Sequence, residues 1–251
     1  MVKSRVATII SMIYLGLGVT VYIACPGAGF LLIFGDTMPV IAAAGALAAT
    51  LLAASSFRPG EPHKKVWQLL AIGLLFYLLG ELSWWIGEVV LEQKVPYPSI
   101  ADVFWLAGYF PFFAGFVLNF RHLDIKLEWR SIALWFLPLG VIAATSFYFI
   151  FLPVLAGKIP ALEKFLDLAY PIEDILLLAA AFLTLTGLSY GVLNRPWKLI
   201  VAGFILMLIA DLLYSYLSFI GLYRTGSFTD LAWVAGYLLI GIGALLQWEI
   251  A

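Results

Sequence analysis

Apolar runs of about twenty residues recur from one end of the chain to the other, separated by short stretches that hold most of the charges. A helix of ~20 residues spans the ~30 Å hydrocarbon core of a bilayer, so this pattern predicts membrane-crossing helices. Eight spans are expected, over residues 6–25, 38–57, 66–91, 100–120, 131–155, 166–193, 197–222 and 231–250. A secretory signal would be a single short apolar segment ahead of a polar chain, whereas here the first run opens a series and reads as a retained span. The connections are too short to fold on their own, which leaves one polytopic membrane domain over residues 1–251. Cys25, the only cysteine, excludes an internal disulfide and is expected to be a small packing residue buried in the first helix.

The phrase DVFWLAGY at 102–109 returns as DLAWVAGY at 230–237. Extending the match lays Trp67 on Trp197, Glu81 on Asp211 and Trp84 on Tyr214; after a two-residue gap, Asp102, Trp105, Gly108 and Tyr109 meet Asp230, Trp233, Gly236 and Tyr237. Spans three and four thus repeat as seven and eight. Pro39 and Pro171 match loosely, which makes four helices the unit, with repeat one at about 5–121 and repeat two at about 130–250. Because four is even, both copies run in the same direction, as in parallel repeats related by an axis along the membrane normal. The expected fold class is therefore all-α integral membrane: eight transmembrane helices as two parallel four-helix repeats.

Charge adds an orientation. Lys3, Arg5, Arg58, Lys64, Lys65, Arg121, Lys126, Arg130, Arg195 and Lys198 fall at alternate helix ends beginning with the N-terminus, leaving Lys94, Lys158, Lys164 and Arg224 on the other side. Lysine and arginine accumulate in cytoplasmic loops, so both termini are expected in the cytoplasm of a cell-membrane protein. Trp67, Trp129, Trp197 and Trp248 are then expected at the cytoplasmic boundary, where indoles favour the interface. Acids gather in the outer half, including Asp36, Glu88, Glu92, Glu163 and Asp167. Such a field attracts cations, although exclusion of positive residues from that side would leave the same imbalance.

An ionisable side chain at the centre of a membrane helix costs roughly 2.5–3.5 kcal/mol on insertion scales, so it ordinarily faces the bundle interior. Glu81 and Asp211 are the deepest. Glu81, Trp84, Trp85 and Glu88 are spaced i, i+3, i+4, i+7 on one face, as are Asp211, Tyr214, Ser215 and Ser218. Each carboxylate is either a packing acid bonded to a tyrosine or indole, or a site for a ligand, cation or proton. Asp102 follows Ser99 and Asp230 follows Ser227 at capping-box spacing, which assigns them first to helix starts. Trp105, Tyr109, Trp233 and Tyr237 lie below those aspartates on the same face. In the segment YPIED at 170–174, Pro171 kinks the helix, and one of Glu173 and Asp174 is expected to face inward. The candidate ligand-binding set is Glu81, Trp84, Trp85, Glu88, Asp102, Trp105, Tyr109, Asp174, Asp211, Tyr214, Asp230, Trp233 and Tyr237.

Several chemistries drop out. The two histidines, His63 and His122, fall in loops, leaving no intramembrane cluster for zinc or haem, and no lysine inside a span could carry a retinal Schiff base. There is no G-x-S-x-G elbow, H-E-x-x-H helix, phosphate-binding loop or G-x-G-D protease context. No enzymatic role, cofactor or nucleic-acid partner is expected. Residues 80–109 (GELSWWIGEVVLEQKVPYPSIADVFWLAGY) and 210–237 (ADLLYSYLSFIGLYRTGSFTDLAWVAGY) resemble the multi-span N-terminal sensor regions of some bacterial diguanylate cyclases and histidine kinases. The likeness covers spans three to eight, although P-S-x-x-D stands only in the first copy. It implies perception of a stimulus at the membrane. The sequence ends at Ala251 with no GGDEF or kinase output domain, so signalling is expected to need a partner or an output domain removed from the chain. The expected function is a non-enzymatic sensor or receptor-like protein that binds a small ligand or cation in an outward-facing aromatic–acidic cavity. A small proton- or cation-coupled transporter and a structural subunit of a membrane complex are the alternatives.

Overall fold

The computed structural model describes residues 2–123, 129–187 and 194–251, and among these every element is helical. The order is α1 (Val2–Ala24), α2 (Ala28–Ser55), α3 (Pro62–Trp85) continued by a π-helical turn (Ile86–Val90), α4 (Ile100–His122), α5 (Trp129–Ser146) continued by a second π-helical turn (Phe147–Phe151) into α6 (Leu152–Ala156), α7 (Ala161–Gly187), α8 (Asn194–Phe219), and a 3-10 turn (Phe228–Asp230) leading into α9 (Leu231–Ile250). Joined through their turns, these give eight helices long and apolar enough to cross a membrane, as expected of a multi-pass protein. Large apolar side chains such as Ile9, Met12, Ile13, Phe110 and Leu137 are left uncovered by protein, a surface suited to lipid rather than water.

Three expectations are corrected. The second span begins at Ala28, ten residues before the expected 38, because Asp36 does not end the apolar run: it is inside the helix, 7% exposed, and turned toward the protein. The sixth begins at Ala161 rather than 166, with Glu163 in its first turn. Its expected end at 193, like Lys126, lies outside the described residues. Cys25 is neither helical nor buried. It follows the last residue of α1 with φ 45°, exposed, because Pro26 disfavours helix in the residue before it and Gly27 at φ 123° turns the chain into α2.

Two antiparallel hairpins, α3–α4 and α8–α9, carry the tightest packing. Glycines set their spacing. A Cβ on Gly108 would meet the Tyr77 ring and stand 3.2 Å from the Gly73 carbonyl; on Gly236 it would meet Met207 and stand 2.9 Å from the Gly203 carbonyl. One step further along, Gly115 faces Leu70 and the Val66 carbonyl, and Gly243 faces Ile200 and the Pro196 carbonyl. Close approach of this kind compensates, through van der Waals contact, for the absence of a hydrophobic drive between helices in lipid. α2 packs on α3 and α9, α7 on α4 and α8, α1 along α9, and α5 along α7.

Between the hairpins, toward the end that holds both termini, lies a closed aromatic core. Phe112 and Phe204 have ring centroids 4.9 Å apart, Phe116 and Phe204 5.5 Å, and Trp67 and Trp197 5.4 Å. Trp67 and Trp197 are 2% and 4% exposed, so these two indoles are core residues rather than the interface anchors expected; they start their helices but point across the bundle at one another. Trp129 does stand largely uncovered by protein, 77% exposed. At the same end Glu249 accepts the backbone N–H of Lys3 at 2.5 Å and of Ser4 at 3.2 Å, and the Ser4 hydroxyl, while the Lys3 ammonium lies 4.0 Å above the Trp248 ring. The first and last turns of the bundle are thereby tied together.

Candidate functional site

At the end opposite the termini the hairpins diverge and enclose a cavity of about 120 Å³, measured as the space open to the centre of a water molecule. One water needs only ~10–15 Å³ of space filled by its own sphere, so the cavity has room for several. Its walls come from α2, α3, α4, α7, α8 and α9 and the loops above them. The local sequence explains why the mouth stays open. After Trp85 the π turn widens α3, and Leu91 and Gln93 close it by donating to the carbonyls of Ile86 and Gly87. Ser99 and Ser227 then start the returning strands of the hairpins as α4 and the 3-10 turn before α9.

Both capping boxes form. The Ser99 N–H donates to Asp102 at 2.6 Å, and Asp230 accepts the N–H of Ser227 at 3.0 Å and of Gly226 at 2.9 Å. The second oxygen of each aspartate takes a tyrosine hydroxyl, Tyr170 to Asp102 at 2.8 Å and Tyr223 to Asp230 at 3.1 Å. Asp102 and Asp230 are thus structural caps that also border the cavity. Above the spans, burial and then the hydrogen bond to Asp167 hold the Tyr97 phenol well above its ordinary range; burial and then the charge of Asp230 do the same for Tyr223. Both therefore remain donors at neutral pH.

Deeper in, the acids are held by tyrosine and tryptophan donors. Tyr237 donates to Glu81 at 2.7 Å, with the Trp105 indole beside the same carboxylate, and the Trp233 indole N–H donates to Asp211 at 2.9 Å. Trp84 and Trp105 rings lie 6.0 Å apart, and so do Tyr214 and Trp233, their counterparts in the sequence match. Tyr77 is set between Tyr109 and Tyr237 at 5.8 and 6.4 Å. Tyr109 donates to Asp174 at 2.7 Å, and Tyr97 to Asp167 at 2.6 Å. The second oxygen of Asp174 is buried with no hydrogen-bond partner among the described residues, and Asp36 has a buried oxygen whose neighbour within hydrogen-bonding reach is another acid, Glu88.

Ten of the thirteen residues singled out from sequence border this one cavity: Glu81, Trp84, Asp102, Trp105, Tyr109, Asp211, Tyr214, Asp230, Trp233 and Tyr237. Three do not. Trp85 turns to α2 and donates to Thr37 at 3.0 Å. Glu88, carried around by the π turn, stands beside Asp36 instead of continuing the Glu81 stripe. Asp174 is buried behind Tyr109, one layer back, while Glu173 is its less buried neighbour. Sequence reasoning left out Asp36, Tyr77, Asp167, Tyr170 and Tyr223. Tyr77 was findable, four residues before Glu81 on the same helical face; the others depend on how α2, α7 and the loops approach. Among the described residues no group of three or more His, Cys, Asp or Glu side chains is disposed to hold a metal ion.

Models of protein families, curated proteins and solved structures were compared with the chain, and none matches it, so the reading of the cavity rests on its own chemistry.

Proposed function

We propose that this is a non-enzymatic, receptor-like membrane protein that binds a small ligand in the cavity, built as two parallel four-helix repeats with both termini in the cytoplasm and the cavity facing outward. The observation that carries the proposal is the duplicated acid and aromatic lining over a closed aromatic floor. A binding protein of the sensor kind needs one opening, and the packing of Trp67, Trp197, Phe112, Phe116 and Phe204 leaves the terminal end filled. The matched glycine steps of the two hairpins, and the matched Trp84–Trp105 and Tyr214–Trp233 pairs, support the parallel repeat. The excess of lysine and arginine at the end that holds the termini supports the orientation. A signal would pass to a partner protein, in keeping with the likeness to sensor regions.

A small cation- or proton-coupled transporter is the second reading. The observation in its favour is Asp174, a buried acid behind the cavity wall with an unpartnered oxygen, placed as a relay would be.

Accessibility separates these. Ser215 borders the cavity; with Cys25 replaced by serine, Ser215→Cys should react with a membrane-impermeant maleimide applied to the outer face of intact cells, and should stay unreactive from the cytoplasmic face of inverted vesicles. Labelling from both faces would favour the transporter. Labelling from the cytoplasmic face alone would overturn the orientation.

A further inference from the structure

The charge and wall chemistry of the cavity narrow its ligand to one class. We infer that it takes an organic cation, an alkylammonium or quaternary ammonium group attached to a small apolar body; this rests on the cavity being a ligand site, as proposed above.

Six carboxyl groups border the cavity, and among the described residues no lysine, arginine or histidine does. The basic residues nearest this end of the chain do not reach it: Lys94, Lys158 and Arg224 are exposed, and the Lys164 ammonium is engaged with the carbonyls of Leu155 and Gly157 at 3.2 and 3.0 Å. An anionic ligand would meet only like charge there. The donors that do reach these acids are neutral, tyrosine hydroxyls and an indole N–H, so the carboxyl groups have hydrogen bonds but no cationic side chain beside them. Asp36 is in the same position: one of its oxygens is buried, and the side chain within hydrogen-bonding reach of it is another acid, Glu88, rather than a base.

A bare metal ion would answer the charge but not the geometry. Its ligands would have to converge, and no three acids do so among the described residues. The aromatic rings supply what a diffuse cation needs instead. Trp84, Trp105, Tyr214 and Trp233 stand in two pairs against the cavity, and indole and phenol faces attract alkylammonium groups within about 6 Å. Five of the seven tyrosine hydroxyls on the lining, those of Tyr97, Tyr109, Tyr170, Tyr223 and Tyr237, are already committed to carboxylates, which favours a ligand with few hydrogen-bond donors and acceptors of its own. With room for several water-sized groups, the cavity suits a small cation.

The test is calorimetric titration of the detergent-solubilised full chain with tetramethylammonium, choline and tetraethylammonium chlorides, and with 3,3-dimethylbutan-1-ol, the uncharged isostere of choline. At least one of the cations should bind, choline at least tenfold more tightly than the alcohol if it is that one, and the affinity should fall tenfold or more in Glu81→Gln and in Trp105→Leu. Equal binding of choline and the alcohol, lost in Trp105→Leu, would overturn the cationic class and leave the cavity a ligand site. Binding of sodium or calcium alone, lost in Glu81→Gln, would overturn it in favour of an inorganic ion. If none of these probes binds at millimolar concentration, the inference fails; if Ser215→Cys is also inaccessible from outside, the ligand-site reading fails with it. The comparison of choline with the alcohol on the unmodified protein needs no variant to fold.

Discussion

Replacing Gly203 by alanine tests the packing that holds the cavity open. A Cβ at Gly203 would stand 2.6 Å from the Gly236 carbonyl oxygen and 2.7 Å from a side-chain carbon of Ile240. Carbon contacts settle at ~3.5–4.0 Å, so α8 and α9 must separate by roughly 1 Å. A gap of that size forfeits about a quarter to a half of each contact on either side of the step, and overpacking of this kind costs ~1–3 kcal/mol. The seam has the Gly203, Gly236 and Gly243 steps in succession, all against backbone, so a cost near ~3 kcal/mol is expected. Alanine returns ~1 kcal/mol of helix propensity, for a net loss of about 2 kcal/mol. Gly45, on a face of α2 with nothing within 4 Å of its added Cβ, keeps only the gain. At ~2–4 °C per kcal/mol for a chain of this size, Gly203→Ala should lower the melting temperature of the solubilised protein by ~4–8 °C, and Gly45→Ala should raise it by ~2–4 °C. Equal shifts of the same sign in both variants would refute the close seam.

Tyr237→Phe should lower stability against denaturing detergent by about 1 kcal/mol, in the range of interhelical hydrogen bonds measured in membranes, because it removes the donor to Glu81; unchanged unfolding would mean that the bond contributes nothing. Ser99→Ala and Ser227→Ala should each cost ~1 kcal/mol and speed hydrogen exchange in the first turns of α4 and α9, respectively, with protection elsewhere retained. Native Cys25, the sole cysteine, should react with a maleimide without unfolding, from the side opposite the termini; reaction only after denaturation would return it to the helix interior.

The apolar periodicity was enough to read the number of crossing helices, since length and hydropathy alone decide whether a segment can span. Ends were harder, because one charge looks the same at a helix end and on a buried wall: Asp36 was taken for the former and is the latter. Trp67 and Trp197 illustrate the same limit for aromatics. An indole in the first turn of a span suits the interface equally well, and only the approach of the opposite hairpin turns it into core. The carboxylates of the site were legible because acids in apolar runs are rare and duplicated here. Their partners were not: Tyr237 and Glu81 are 156 residues apart, and Tyr170 meets Asp102 only because α7 packs on α4.

The tyrosine–carboxylate bonds have a mechanical side. Tyr237 to Glu81, Tyr170 to Asp102, Tyr109 to Asp174 and Tyr97 to Asp167 each join residues from opposite halves of the chain. The first is a rivet across the split between the hairpins and the other three fasten α7 to the α3–α4 hairpin, all set around the space a ligand would fill. A guest that competes for one of those oxygens loosens a rivet, and a guest whose charge strengthens the carboxylate's hold on its tyrosine tightens one. Occupancy and the spacing of the two halves are then the same variable, and a molecule far smaller than a helix could shift the whole of one hairpin against the other.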